Sequence, residues 1–452
     1  LISSVRSLAI STAYGRHVAS CGLSGLKRSA IVEESYKGVF CLNRSSFISD
    51  PGIDLHHVFD AIVVGAGPAG CSAASFLAVE GFRVLLLDKA TFPRDKVCGD
   101  AISPLALDVL DRMGALEWID SHGPWKVEGV RISSPSGHVV CGRGLLRKDL
   151  RGFGYVMPRY RLDDLLRRFA SRHPNVTCME QWEVYDLIQD SKGGVMGVLA
   201  QKEGRRKPYY ACTVLAADGV NSQVAKVLSL RNEDPRHRAF AIRAYFDGVE
   251  GLTRHIEIHY DRGILPGYGW IFPVGPRTAN VGVGLFRRFT SAKEALRRFK
   301  TFVEENPFAR QRLRSAEMRE GTLKGWSIPF GSYKAKRARG NVLLLGDAGS
   351  FVDTLTGEGI YFALRSGELA AQAVRAGLRR IHRPEMIGQI YETLWRKQIR
   401  WREYLLGYLL QPLLRSGRFL DLRISWARKN PRRADILASV VANILSKVRL
   451  IL

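Results

Sequence analysis

One run, FDAIVVGAGPAG from Phe59 to Gly70, limits what this chain can fold into more than any other stretch. The residues before Gly65 are apolar apart from Asp60 and read as a buried strand, and Pro68 to Glu80 reads as a helix entered through proline. RVLLLD from Arg83 is a second buried strand, so the three pieces form a βαβ unit and begin a parallel sheet. Gly65, Gly67 and Gly70 stand in the spacing G-x-G-x-x-G at the turn. Gly65 permits the tight turn, Gly67 lets backbone approach a pyrophosphate, and Gly70 lets helix and strand pack closely, while the helix N-terminus attracts negative charge. Asp88 closes the second strand at the distance expected for an acid that holds a ribose. The pattern predicts a dinucleotide site built from Gly65, Gly67, Pro68, Ala69, Gly70, Asp88 and Lys89.

Strands of the same buried style recur in TVLAADG near residue 215 and in NVLLLGDAG from Asn341. Between them AIRAYF, RHIEIHY, YGWIFP and NVGVGLF read as a largely antiparallel layer, and LDDLLRRFASR from Leu162 reads as a helix. The expected fold is α/β, α+β overall. A discontinuous Rossmann-like domain takes residues 58–125, 155–230 and 331–390, interleaved with a mainly antiparallel substrate domain at 126–154 and 231–330. Residues 1–57 hold no sustained period and read as a poorly ordered leader; residues 391–452 read as a basic helical region.

NAD and FAD share the glycine turn, so other segments must choose between them. Asp218-Gly219 ends the strand TVLAADG, and Gly346-Asp347 ends the strand NVLLLGDAG. Either dipeptide alone is an ordinary turn. Together, in this order, they resemble the flavoprotein superfamily that includes the aromatic hydroxylases. That resemblance implies FAD, with Asp347 holding the ribityl chain and Arg159, before the pair Leu162-Asp163, reaching the cofactor.

Three further segments narrow the resemblance. PRDKVCGDAISP contains Cys98-Gly99, LPGYGWIFPVGP contains Y-x-W-x-F-P, and GDAGSFVDTLTGEGIYFALRSGELAA contains the turn Gly357-Glu358-Gly359-Ile360 opening a helix. The combination is similar to the geranylgeranyl reductase family, whose members use reduced FAD to saturate carbon-carbon double bonds in polyprenyl chains. It spans about residue 58 to about 375. It implies that Tyr268, Trp270, Phe272 and Pro273 line the substrate cavity, that Cys98 sits beside the flavin ring, and that Gly357 and Gly359 present N–H groups to the flavin's pyrimidine edge. A polyprenyl chain offers only apolar surface and π bonds, so aromatic and aliphatic walls suit it. Ser350 stands where many relatives have glycine and Thr354 where many have proline, which bears on the cavity's shape. The proton donor is open, with Tyr268 and Cys98 as candidates. The electron donor is NAD(P)H or a ferredoxin-like protein, since no second glycine unit is visible. The alternative within the superfamily is a monooxygenase or halogenase acting on an apolar or aromatic substrate; halogenases carry W-x-W-x-I-P in place of Y-x-W-x-F-P. A flavin-bearing binding protein without catalysis is the non-enzymatic alternative.

Formal net charge is +25, which points to a polyanionic partner. Nucleic acid is disfavoured because no recognition module accompanies the charge. In the last sixty or so residues basic groups outnumber acids several-fold and alternate with leucine-rich stretches, suiting peripheral contact with an anionic membrane. Seven dispersed cysteines, with no C-x-x-C pair, argue for a reducing compartment such as the cytoplasm and against a metal or iron-sulfur site. The first 32 residues are basic, serine-rich and free of acids, so an organelle transit peptide is the alternative to a leader of little structural meaning.

Overall fold

The computed structural model describes residues 58–144 and 149–451. The leader expected at residues 1–57 lies outside the described residues. Strand Val58–Val64 is buried almost throughout and runs parallel to Val84–Asp88 on one side and to Arg205–Ala216 on the other. Val176–Glu180 and Val342–Leu344 extend the parallel sheet outward, and the antiparallel pair Glu183–Gln189 and Val195–Lys202 continues from the long strand Arg205–Ala216. The three widely separated pieces read from the sequence therefore share one sheet. Helices Pro68–Val79 and Ile360–Arg375 pack with their apolar sides in the same core, which buries Ala69, Ala73, Leu364 and Ala370.

A second sheet is ordered Glu317–Met318, Arg238–Asp247, Thr278–Phe286, Tyr268–Pro273, His255–His259, Gly129–Ser133 and Val139–Gly142, with Lys324–Pro329 also on Arg238–Asp247. It is antiparallel except where His255–His259 meets Gly129–Ser133. The two-residue period of a strand decides what each face does. Ile271, Val281 and Val283 face one way, into a core with Phe299 and Phe302 of helix Ala295–Glu305. Trp270 and Phe272 face the other way, toward the cavity described below.

The helix expected from Leu162 begins at Arg159, directly after Pro158, three residues before its apolar period becomes visible. Beyond residue 386 the chain is helical, as Ile387–Gln398, Trp401–Leu410, Gly417–Arg428 and Pro431–Val441. These helices are integral to the core rather than an appendage. Ala434 and Ala438 are buried against the second sheet, and Tyr404 is buried in the core of the first.

Candidate functional site

A cavity of about 730 Å³ begins at the glycine turn and ends at the aromatic strand. Gly65 has φ +101°, and a Cβ there would lie 2.4 Å from the Ala217 carbonyl oxygen. A Cβ on Gly70 would lie 1.9 Å from the Gly65 carbonyl oxygen, so Gly70 holds the helix against the turn and is not part of the cavity wall. Gly67, Pro68 and Ala69 are. Asp88 accepts from the amides of Ala66 at 2.7 Å and Ala90 at 2.8 Å, which fixes its carboxylate at the end of its strand. Lys89 is on the rim, 3.7 Å from Glu183.

Two cations that sequence reasoning did not select also line this end. The Arg94 guanidinium stands 3.5 Å from where a Cβ on Gly67 would be, over the open side of the turn. Lys96 pairs with Asp347 at 3.1 Å. Arg159 was expected to reach the cofactor and does line the cavity, but it is buried and clasps Asp163 with bonds of 2.6 and 2.7 Å. Burial works to raise the Asp163 pKa, and the guanidiniums of Arg159 and Arg94 overcome it, holding Asp163 below the usual carboxylate range. Asp163 thereby anchors both arginines at the cavity.

Beside the glycine turn Asp218, Gly219, Gly346, Asp347, Gly357, Glu358, Gly359 and Ile360 line the same space, with Asp218 packed on Gly65 and Gly346 on Ala69. Asp218 also accepts from the amide of Gln223 at 2.8 Å, bracing the short helix Gln223–Val227. The expectation for Gly357 needs correcting. Its N–H is turned inward to the Asp353 carbonyl at 3.2 Å, and the donors this turn leaves without an intrahelical partner are the first-turn amides of helix Ile360–Arg375.

The aromatic wall is held by a polar network. Tyr268 donates to the Thr356 carbonyl at 2.5 Å, and Trp270 Nε1 donates to Asn280 Oδ1 at 2.9 Å. Asn280 Nδ2 donates in turn to the Cys98 carbonyl and to Asp100 Oδ2, each at 2.7 Å, and Tyr245 donates to the same Asp100 oxygen at 2.6 Å. Burial pushes the Asp100 carboxyl up to about 6 against the pull of those two hydrogen bonds. Cys98 lines the cavity, and Gly99 leaves room for the Phe272 ring beside it. Pro273, expected in the wall, is buried in its strand outside the lining. Asn280 gave one signal in the sequence, as the polar residue inside the apolar run NVGVGLF.

The two departures at Ser350 and Thr354 do not shape the cavity, because neither side chain lines it. Ser350 has φ +54°, the region in which glycine is the least strained residue. Thr354 points toward helix Trp401–Leu410, donating to the Tyr404 carbonyl at 2.6 Å, while its own carbonyl accepts from Gln411 at 2.7 Å. The wall is completed from a region outside the resemblance: Ala438, Val441, Ala442 and Ile444 line the cavity, with Ala438 in the same apolar cluster as Trp270 and Phe272.

This set fits FAD: a side-chain-free Gly67 beside the Arg94 guanidinium, an acid fixed at Asp88, a paired Lys96 and Asp347, a helix N-terminus at Ile360, and an apolar wall in the same cavity. Comparison with known proteins agrees. The FAD binding domain family matches residues 58–368. A menaquinone reductase of Mycolicibacterium smegmatis is 33% identical over 326 residues, 70% of this chain and 76% of that protein. A digeranylgeranylglycerophospholipid reductase of Methanothrix thermoacetophila is 29% identical over 348 residues, 75% of this chain and 83% of that protein. The crystal structure of a geranylgeranyl bacteriochlorophyll reductase-like protein from Thermoplasma acidophilum matches with a TM-score of 0.75 at 22% identity, covering 87% of this chain and 98% of that one. That last likeness establishes the fold.

Proposed function

The chain belongs to the geranylgeranyl reductase family of FAD-dependent oxidoreductases, and on that premise we propose that it saturates carbon-carbon double bonds of a polyprenyl lipid or an isoprenoid quinone tail. The observation that carries the reading is the continuity of one cavity from the cofactor cradle to a wall of Tyr268, Trp270 and Phe272. The two relatives named for menaquinone and for digeranylgeranylglycerophospholipid support it, since those molecules have a polyprenyl chain in common.

FAD, when bound, supplies the hydride, and the protein supplies position and surroundings. Gly67, Pro68 and Ala69 would bring backbone to the pyrophosphate, with Arg94 neutralising its charge. Asp88 would take the ribose, and Asp347, steadied by Lys96, would take the ribityl chain. The first-turn amides at Ile360 would stabilise the negative charge that the flavin gains on reduction. Trp270 and Phe272 exclude water and orient the alkene by contact. Reducing equivalents come from a transient donor, NAD(P)H or a ferredoxin-like protein.

The reading extends to a membrane surface. Trp401, Leu405, Leu409 and Leu413 are exposed at four-residue steps, and Leu422, Val448 and Ile451 are exposed in the same C-terminal region. Arg400, Arg402, Arg415 and Arg418 lie among them in the chain. Apolar groups interspersed with cations suit peripheral contact with anionic lipid, where a prenyl substrate resides. Among the described residues no helix is long and apolar enough to cross a membrane.

The test is anaerobic incubation of the dithionite-reduced protein with geranylgeranyl lipids or a menaquinone. A mass gain of two per bond is the expected product; incorporation of oxygen or halide under aerobic turnover, with no saturation, would refute the reductase reading.

A further inference from the structure

The register of the second sheet shows how far the apolar part of the cavity runs. Trp270 pairs with Ile258, Ile256 pairs with Val130, and Val130 pairs with Gly142. Ile256 and Ile258 are two residues apart and so share a face, and Trp270, Ile258, Ile256 and Val130 all line the cavity. Four neighbouring strands thus carry one apolar row, about 14 Å from the strand of Trp270 to the strand of Gly142. At Gly142 the row is covered. A Cβ there would lie 2.4 Å from the Ala434 carbonyl oxygen and 3.0 Å from Ala438 Cβ, so helix Pro431–Val441 sits directly on that strand. Ala438 lines the cavity at this point, and Val441 and Ala442, three and four residues on, continue the same wall.

Resting on the reductase reading above, we infer that Ala438 is the stop that sets the length of prenyl chain the cavity accepts. The row offers no polar group that could satisfy a headgroup, so it suits the free, apolar end of the substrate. Both ends of the row are fixed. At one end a Cβ on Gly282 would lie 2.3 Å from Trp270 Cζ2, so the indole lies close against the neighbouring strand, and Asn280 holds its nitrogen. At the other end the helix cannot withdraw freely. Asp435 Oδ1 accepts from the amides of Arg143 at 2.8 Å and Gly144 at 3.3 Å, and Asn430 caps the helix by accepting from the Arg432 amide at 2.9 Å. Ala438 is itself buried among Trp270, Phe272, Val130 and Ile258. Volume added at position 438 therefore enters the chamber instead of pushing the helix outward, and it shortens the row from its far end.

The experiment uses FAD-loaded wild type and the graded series Ala438→Val, Ala438→Leu and Ala438→Phe. Half-saturating concentration and turnover are measured anaerobically, with the flavin kept reduced, for ether lipids bearing geranyl, farnesyl or geranylgeranyl chains. As bulk at position 438 grows, the half-saturating concentration of the geranylgeranyl lipid should rise by about tenfold or more. The farnesyl lipid should follow only with the larger side chains, and the geranyl lipid should keep its wild-type concentration and turnover. Flavin content and the unfolding midpoint report whether each variant folds, and Ala438→Val carries the test if the larger side chains do not. An equal loss for all three chain lengths overturns the stop, since it marks a disturbance of the whole site. An unchanged chain-length profile in every folded variant overturns it too, and leaves the reductase reading intact. Wild type that saturates none of the three lipids overturns both.

Discussion

The indole nitrogen of Trp270 donates to Asn280 Oδ1 at 2.9 Å, and through Asn280 the aromatic wall is tied to the Cys98–Asp100 turn that packs against it. One amide thus fixes the aromatic wall against that turn. Asn280→Ala would leave the Trp270 N–H without its acceptor and the Cys98 carbonyl and Asp100 each short of a donor in a buried place. Each orphaned group costs about 1–3 kcal/mol, so the variant should lose about 3 kcal/mol or more. Urea unfolding measures that loss, and the half-saturating concentration of prenyl substrate should rise as the indole loses its fixed orientation. Unchanged stability would show that the network does not hold the wall.

Stability should fall as pH rises across the slightly acid range. Asp100 is raised from its ordinary 3.8 to about 6 and Glu358 from 4.5 to about 7, both chiefly by burial. A carboxyl whose folded pKa is raised stabilises the fold fully below its unfolded pKa, and that stability is lost as pH climbs through the folded value. The window is therefore about pH 4 to 7, and each group contributes at most about 3 kcal/mol. Urea midpoints from pH 5 to 8 should decline, and Glu358→Gln should flatten the upper part of the decline.

The parallel sheet was legible because its strands are buried on both faces and so read as unbroken apolar runs, and because Gly65 and Gly70 leave no other turn open to the chain. The aromatic wall was legible as a motif, with Trp270 and Phe272 at alternate positions of one strand. What was not legible depended on partners distant in sequence. Arg94 and Lys96 become site residues only through Asp163 and Asp347, 69 and 251 positions away. Glu358 reads as one more turn residue until Asn443 is brought beside it from the C-terminal region. The closing wall at Ala438 to Ile444 carries no motif, since any small apolar residues of the right volume would serve.

Thr354 offers a test of how firmly the C-terminal helices are joined to the turn before helix Ile360–Arg375. Its hydroxyl donates to the Tyr404 carbonyl, and Gly407 has no room for a side chain, since a Cβ there would lie 2.3 Å from the Thr354 hydroxyl oxygen. Thr354→Val preserves shape but removes the second donor to the Tyr404 carbonyl, which keeps its helical one, at a net cost of about 0.5–1.5 kcal/mol. Hydrogen exchange in Trp401–Leu410 should quicken by up to about tenfold, with little change in the parallel strands. A uniform change across the molecule would mean that the contact is not local.

The exposed apolar row on the C-terminal region separates membrane contact from a merely solvated basic surface. Leu405 is 39% exposed and Leu409 62%, so neither supports the core to any large extent. Leu405→Glu with Leu409→Glu should therefore leave the unfolding midpoint close to that of wild type. On a membrane the same two leucines would each bury apolar area worth up to about 1.5–3 kcal/mol, and each nearby arginine would add about 1 kcal/mol with anionic lipid. Losing both leucines should weaken partitioning by on the order of 10²-fold. Flotation with liposomes of mixed neutral and anionic lipid should carry wild type upward and leave the double variant behind, and salt should weaken the wild-type interaction. Recovery of all wild-type protein in the soluble fraction at low salt would remove the membrane from the proposal and leave the cavity to take its lipid from solution.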